Sequence, residues 1–591
     1  MNTQALVRLK LRRLMRIGKP FWTSNLKWKG LILLASVLAL LSLTAGVNVF
    51  VSYIASKFTT ALQAKDAAGF QFYLFAYALT MIGGSPVVVF YQYLRTKLAL
   101  TWRKWLTEHF LERYFKNKLY YRLTTHPEID NPDERMSQDV ETFCNSAVGL
   151  FIACLDALVT VVSFLGVLWF ISAPLTVVAI LYSLIGCLLT IFIGKRLVGL
   201  QFQHTKREAD LRYTLAEVRR DAETIAFYRG ERSSSRVVLK RLAEAIINLE
   251  SMMILQRNIT IFTQNFNSLI VLIPAAVIAP LYFAGSMQFG ELTQAAIAFG
   301  QVFGGMTLLI GQFTGISAFI SNIDRLGSFV ETLDEMDASR LKSSKIERSH
   351  SDDGRLSLQD LTVIVPDSGR LLVDKLNLTI KPGENLLIMG KSGSGKSSIL
   401  RAIAGIWESG QGKVELPREE QTLFLPQRPY VPRSTLREAL LYPLMPHEYR
   451  QRFASDQAAE DKLKEVLKLV NLSGLDERAA GLDKEVEWRE MLSIGEQQRL
   501  TIARALLSQA TMIFLDEATS ALDAENEKLM LDLLQEKGTT LISVGHKESL
   551  KGYHSLLLEL MPENQTSASH KISYLPANKT RGLTDENSQS K

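Results

Sequence analysis

The chain has 591 residues, 47% of them hydrophobic, with three cysteines and a formal net charge of +7. That apolar content is high for a soluble protein of this length, which allows about two to four domains. The cysteines lack metal-ligand spacing, which excludes a disulfide framework or a zinc site. The positive charge comes with no nucleic-acid motif, so nucleic acid is not an expected partner.

Residues 1–28 read as a basic cytoplasmic segment; Arg8, Lys10, Arg12, Arg13, Arg16 and Lys19 fall within it. The apolar run from Leu31 is too long for a signal-peptide core and ends at no clear cleavage site, so a retained first span is expected. Apolar stretches lie at residues 31–57, 71–94, 147–171, 174–194, 262–284 and 292–320. Each can supply the roughly 20 residues of a membrane-crossing helix, giving six spans within a membrane domain of residues 29–335. The short connections near 58–70, 172–173 and 285–291 contain only Lys65, whereas 95–146 and 195–258 are rich in Lys and Arg. This asymmetry places both termini in the cytoplasm and makes the positive charge a topology and anionic-lipid signal. Gln264, Asn265, Asn267, Gln294, Gln301 and Gln312 interrupt the last two stretches and must face a partner helix or a cavity. Asp156 stands alone in the third stretch, where a charge is costly and faces a cavity or partner; no basic residue within the other spans offers one. Cys144, Cys154 and Cys187 read as buried apolar fillers. Residues 96–118 and 195–248 continue the spans as helical stalks.

Residues 336–354 read as a linker, and from about Arg355 the pattern changes. Residues 356–365 alternate like a strand, 376–380 and 385–389 follow, and Pro382 with Gly383 turns between the last two. The third strand runs into Gly390, Lys391, Ser392, Gly393, Ser394, Gly395, Lys396 and Ser397, and residues 397–406 read as helix. Strand, glycine loop and helix together are the context of a phosphate-binding loop. Its backbone N–H groups converge on phosphate oxygens and Lys396 sets a charge between the terminal phosphates. Ser397 offers Mg²⁺ a hydroxyl, and the helix start, which includes Ser398, adds its dipole. ATP and Mg²⁺ are therefore the expected cofactors. Further on, residues 511–515 form an apolar strand ending in Asp516 and Glu517. Strands buried on both faces put such terminal carboxylates in the ligand crevice. Asp516 is assigned to Mg²⁺ through water and Glu517 to polarising the attacking water. His546 follows the apolar strand 540–544 at the same edge and is placed near the γ-phosphate. The ATPase domain spans residues 355–560, and the polar tail 561–591 reads as disordered.

Leu492, Ser493, Ile494, Gly495, Glu496, Gln497 and Gln498 precede the carboxylate strand. With them the chain resembles the ABC transporters, whose signature they match except for Ile494 in place of the more frequent glycine. The resemblance implies a multi-domain membrane protein: a six-helix, all-α transmembrane domain of the exporter type, then an α/β P-loop ATPase domain. It also implies that Gln427 is the Q-loop residue coupling Mg²⁺ and water to the membrane helices, that Ser520 to Asp523 form the D-loop, and that His546 is the switch histidine. Ser493, Gly495 and Glu496 at a helix start, together with Asp523, would meet nucleotide held by a second copy of the chain. One chain then carries both halves of a site that it cannot close on itself. Residues 130–139 with Phe143, 223–231 and 424–430 resemble the peroxisomal fatty-acyl (D-subfamily) transporters and bacterial relatives similar to the SbmA/BacA uptake proteins. One departure stands out: residues 362–366 lack the adenine-stacking aromatic of most ABC ATPases. Val365 or Pro366 is left to cover the base by apolar contact.

The expectation is a homodimeric, ATP-driven transporter of a bacterial inner membrane, with lipid and the transported solute as its other partners. Sandwiching two ATPs would switch the side to which a cavity opens, and hydrolysis would reset it. The same closure serves import or export. The alternatives are an ABC ATPase that signals or regulates at the membrane without transport, and a binding module without hydrolysis. Lys396 together with Glu517 argues against the second. Cobalamin or other hydrophilic solutes, peptides and long-chain acyl compounds are the candidate substrates. Residues 130–145 and 223–231 are expected at the cytoplasmic ends of the stalks, against the ATPase half.

Overall fold

A computed structural model of the chain describes residues 3–124, 131–339, 346–365, 369–391, 393–562 and 568–575. The chain forms two units, Met1–Asp337 and Ala338–Lys591.

The first unit is helical among its described residues. Its helices are α1 (Thr3–Thr23), α2 (Lys27–Gln63), α3 (Ala67–Phe115), α4 (Leu119–Leu123), α5 (Pro132–Glu134), α6 (Val140–Ile171), α7 (Ala173–Arg220), α8 (Ala222–Tyr228), α9 (Glu231–Phe283), α10 (Phe289–Gly311) and α11 (Phe313–Ser339). Two turns fall at capping residues: Asp66 accepts from the Gly69 N–H before α3, and Ser172 accepts from the Leu175 N–H before α7. Four stretches among the described residues are long and apolar enough to cross a membrane: Lys27–Gln63, Ala67–Leu123, Pro132–Ile171 and Glu231–Phe283. Ala173–Leu189 is a shorter apolar helix, and the last apolar stretch is divided between α10 and α11 at Gln312. α3, α7 and α9 run for 49, 48 and 53 residues, each roughly 70–80 Å at helical rise. The apolar spans thus continue as stalks.

The basic amino-terminal segment is itself a helix with an assigned seat. Ile17 and Phe21 of α1 are buried, and the Phe21 ring stacks on Trp102 with centroids 5.6 Å apart. Arg13 reaches α11, with Nη2 2.7 Å from Glu331 Oε2 and Nη1 3.1 Å from Asp324 Oδ1. Gly327 lies between those acids, and a Cβ there would come 2.5 Å from Arg13 Cδ. A side chain at 327 would therefore unseat the arginine. Arg113 of α3 grips the same helix lower down, 2.8 Å from Asp334 and 3.0 Å from Asp337.

Residues 131–139 meet α11 as well. Asn131, at φ 43°, precedes α5, and a π-turn over Arg135–Asp139 leads into α6. Buried Asp139 pairs with Arg325 Nε at 3.0 Å, and Arg135 Nη1 donates to the Arg325 carbonyl at 2.6 Å. Residues 131–139 are thus held by α11 within their own unit; Asp130 lies outside the described residues. Asp156 is half-buried, and Arg95 of α3, just beyond the expected second span, is near enough for their charges to interact. Of the three cysteines only Cys144 is buried; Cys187 is half-buried and Cys154 exposed on its helix.

The strands of the second unit are β1 (Glu347–His350), β2 (Leu356–Ile364), β3 (Leu371–Ile380), β4 (Leu386–Gly390), β5 (Gly410–Leu416), β6 (Thr422–Leu425), β7 (Ser434–Thr435), β8 (Glu485–Val486), β9 (Met512–Asp516), β10 (Thr540–Val544), β11 (Leu556–Pro562) and β12 (Ala568–Tyr574). Its helices are α12 (Lys396–Ile403), α13 (Leu436–Leu441), α14 (Pro446–Arg450), α15 (Asp456–Leu469), α16 (Leu475–Arg478), α17 (Trp488–Met491), α18 (Ile494–Leu507) and α19 (Ala524–Glu536). A six-stranded sheet has the order β12-β11-β4-β10-β9-β6, a four-stranded sheet the order β1-β5-β2-β3, and β7 pairs with β8. In the larger sheet only the β11–β12 pairing is antiparallel. β9 and β10 are apolar without alternation because both faces of a parallel sheet are covered, and every residue of β10 is buried.

Two boundaries differ from the sequence reading. The expected linker contains β1, which pairs with β5. The expected disordered tail contains β12, paired with β11 from Leu556↔Tyr574 to Pro562↔Ala568. An edge strand rests on one ladder and needs few apolar residues, so its polar sequence hid it.

Candidate nucleotide site

Strand register assembles the site. Val544 of β10 lies beside Ile388 of β4 and beside Asp516 of β9, so the loop after β4, the carboxylates after β9 and His546 after β10 share one edge of the sheet. In the loop, Gly390, Gly393 and Gly395 have φ of 156°, 79° and 98°, values that a residue with Cβ rarely adopts. Lys396 is buried and its Nζ donates to the carbonyls of Gly390 (2.9 Å) and Lys391 (3.2 Å). The buried Ser394 hydroxyl has no hydrogen-bond partner among the described residues. Ser398 is half-buried in the first turn of α12, and Ser392 lies outside the described residues. Ser397 Oγ donates to Asp516 Oδ1 at 2.8 Å. Burial pushes the Asp516 carboxyl up, opposed by that hydrogen bond and by Arg401. A hydroxyl and a carboxylate so paired beside the loop are the oxygen donors that suit Mg²⁺.

Glu517 sits one residue beyond β9 with φ 49°, and its N–H donates to the Val544 carbonyl at 3.1 Å. Its Oε2 accepts from Gln427 Nε2 at 2.8 Å, and its Oε1 is 4.0 Å from Nδ1 of His546, which is exposed. The three residues expected at the chemistry are therefore neighbours. Sequence reasoning missed Glu527, a buried acid on α19 that accepts from Thr519 Oγ1 (2.9 Å), Lys547 Nζ (3.1 Å) and Ser549 Oγ (3.2 Å). It ties the segment after Glu517 to the segment after His546. A glutamate in a helix's first turn looks solvent-facing in sequence, so only its position four residues after Asp523 offered a hint. His554 was missed too: it is buried, 2.8 Å from Ser543 Oγ and 2.7 Å from the Leu550 carbonyl.

Ser493 caps α18 in a reciprocal box. Its N–H donates to Glu496 Oε2 at 2.9 Å, and the Glu496 N–H donates to Ser493 Oγ at 3.3 Å. Arg478 Nη1 donates to the other Glu496 oxygen at 2.7 Å. Asp523 likewise caps α19, its two oxygens accepting from the Asn526 N–H (2.8 Å) and Nδ2 (2.9 Å). Both acids were expected at nucleotide; in this chain their carboxylates are engaged as helix caps. A Cβ on Gly495 would lie 3.3 Å from the Ala521 carbonyl, and Gln498 Oε1 accepts from the Ala521 N–H at 3.0 Å. The start of α18 is thus fastened to residues 520–523. Ser493 and Ile494 remain exposed. Val365 is half-buried at the end of β2, and Pro366 lies outside the described residues.

A parallel sheet with this loop and these carboxylates, in a chain whose other unit contains four stretches long and apolar enough to cross a membrane among its described residues, defines a membrane-bound P-loop ATPase. The family "ABC transporter transmembrane region 2" matches residues 19–283, and the family "ABC transporter" matches residues 373–520. An uncharacterized ABC transporter ATP-binding protein of Synechocystis sp. is 42% identical, over 92% of this chain and 82% of the relative. The ABC transporter D family member 2, chloroplastic, of Arabidopsis thaliana is 36% identical, over 93% and 86%. The lysosomal cobalamin transporter ABCD4 of Homo sapiens is 31% identical, over 93% and 94%. A solved bacterial Atm1-family ABC exporter with ATP bound has a TM-score of 0.66 and covers 91% of this chain and 94% of its own; at 17% identity it speaks for the fold. The chain belongs to the ABC transporter family, among the half-transporters of the D subfamily. It binds ATP and couples its hydrolysis to transport across a membrane.

Proposed function

We propose that the chain works as a homodimer that moves a polar solute of the cobalamin class across a bacterial inner membrane. The observation that carries the substrate class is on α9, where Gln264, Asn265 and Asn267 are exposed within an apolar stretch. Lipid would leave those groups unsatisfied, so they support a water-filled path. The human relative is named a lysosomal cobalamin transporter, which supports the same class. The distribution of Lys and Arg supports six spans with both termini in the cytoplasm, and the Synechocystis relative supports a bacterial setting.

In this reading the loop amides and Lys396 hold the terminal phosphates of one ATP, while Ser493 and Gly495 of the partner subunit complete its site. Ser397, Gln427 and, through water, Asp516 would hold Mg²⁺, which when bound neutralises charge on the transferred phosphoryl group. Glu517 orients the attacking water and takes its proton. The Gln427 hydrogen bond fixes that carboxylate, and His546 is placed to meet the γ-phosphate. Phe227 and Tyr228 of α8, exposed at 80% and 83%, act as the coupling element between hydrolysis and the membrane helices. Two ATPs closing the ATPase domains would switch the side to which the path opens, and hydrolysis would reset it.

Reconstituted in proteoliposomes, the protein should move labelled cyanocobalamin only with Mg-ATP. Glu517→Gln should still bind ATP while turnover and movement fall by about 100-fold or more. ATP-dependent movement of a labelled acyl-CoA or peptide without cyanocobalamin movement would overturn the substrate class. Wild-type turnover by Glu517→Gln would overturn the role of the carboxylate.

A further inference from the structure

The turn after β2 carries a cation whose side chain lies on the phosphate loop. The Val365 N–H donates to the Arg370 carbonyl at 2.9 Å, closing the turn between β2 and β3. The Arg370 side chain runs to the loop, where Nη2 donates to the Gly393 carbonyl at 2.8 Å. Gly393 holds φ 79°, and its carbonyl is engaged on the side of the turn. Two residues on, Leu372 packs over the same loop: a Cβ on Gly395 would lie 3.2 Å from Leu372 Cβ. The hairpin that in this sequence carries no aromatic ring for the base is therefore a brace on the loop that takes the phosphates.

We propose that Arg370 is a nucleotide-positioning residue for the ATPase reaction, and that this chain holds ATP chiefly through its phosphates. The proposal rests on the assignment of residues 390–397 as the phosphate loop. The Gly393 carbonyl shares its peptide plane with the Ser394 N–H, which donates to the Lys391 carbonyl at 3.1 Å, so by fixing that carbonyl the guanidinium holds the inner turn of the loop that takes the phosphates. A charge-assisted hydrogen bond to a loop carbonyl is among the stronger ones available, and the planar fork of arginine loses little freedom in making it. The residue touches neither Glu517 nor Gln427, so it acts on the fit of the phosphates and leaves the water-activating pair alone.

The test is nucleotide binding to the full-length transporter in detergent with Mg²⁺, read by competition against a fluorescent ATP analogue. ATP and inorganic tripolyphosphate are the competitors, and steady-state hydrolysis is measured alongside. Arg370→Ala should weaken ATP and tripolyphosphate by the same factor, about tenfold. It should raise KM by a like factor and keep kcat at saturating ATP, which also shows that the protein is folded. Arg370→Lys, which keeps a donor without the fork, should recover part of the affinity. Weakened ATP with unchanged tripolyphosphate would place Arg370 on the base and overturn the proposal. Unchanged affinity for both competitors, or a loss confined to kcat, would overturn it as well. Lys396→Ala serves as the separate control: undiminished binding there would show that the phosphate-loop assignment itself is wrong.

Discussion

Glu517 stands in a left-handed backbone conformation that costs a residue with a Cβ roughly 1 kcal/mol or more. It persists because its N–H extends the β9–β10 ladder to the Val544 carbonyl and its carboxylate is met by Gln427. His554 is a second residue whose neighbours decide its chemistry. Burial between Ser543 and the Leu550 carbonyl pushes its pKa from 6.5 down to about 4. Between those values the unfolded chain takes up a proton that the folded chain refuses, so stability is full above pH 6.5 and is lost as pH falls toward 4. The loss should reach roughly 3 kcal/mol by pH 4. Unfolding midpoints of the ATPase unit measured between pH 7.5 and pH 4.5 should drop steeply for the wild type and less for His554→Gln. Equal slopes would show that another group carries the acid sensitivity. The sequence marked His546 by its place after an apolar strand and gave no sign that His554 is buried. His546 follows an apolar strand and His554 precedes one, and packing buried the second while leaving the first exposed at the site.

At the scale of elements, the Gln498 side chain of α18 accepts from the Ala521 N–H just before α19, so a shift in one helix reaches the start of the other through that hydrogen bond. α8 contrasts with them. It is a seven-residue helix between α7 and α9 whose two aromatic residues have little cover within their own unit. Replacing Phe227 and Tyr228 by alanine should leave ATP affinity nearly unchanged and lower transport per ATP hydrolysed several-fold, because coupling is lost while the phosphate chemistry stays. Proteoliposomes that keep the wild-type ratio of transport to hydrolysis would remove α8 from that role. Strands β2, β4, β9 and β10 were legible because continuous or alternating apolar residues fix a strand without outside help. β1 and β12 were not, because their polar residues gain strand structure only from the β5 and β11 ladders they join.

At the scale of the whole molecule, the exposed Ser493 and Ile494 face outward from a chain that carries its own phosphate loop, an arrangement that suits a site completed by a second copy. A heterodimer of one Lys396→Ala chain and one Gly495→Asp chain, isolated through two different tags, has one intact composite site. Each parent homodimer has none. The heterodimer should hydrolyse ATP at up to about half the wild-type rate, as one site of two would give. A rate no higher than that of either parent would argue that each chain completes its own site.

The sequence by itself determined the class of the protein and the chemistry of its ATPase. Apolar runs of bilayer length, a glycine loop ending in Lys396 and Ser397, and two carboxylates closing an apolar strand are local patterns, and each has one physical use. Tertiary structure alone decided what the polar residues between those patterns do. Arg13 could have been a lipid anchor, but Gly327 opens a seat for it between Asp324 and Glu331. Residues 131–139 carry acids whose partner the sequence does not show, and Arg325 of α11 takes Asp139 and Glu134. Glu496 and Asp523, expected at nucleotide of a second copy, are held within their own chain by helix starts and an arginine. A charged side chain has many possible partners, all distant in sequence, and only the packing of helices and strands brings one of them within reach.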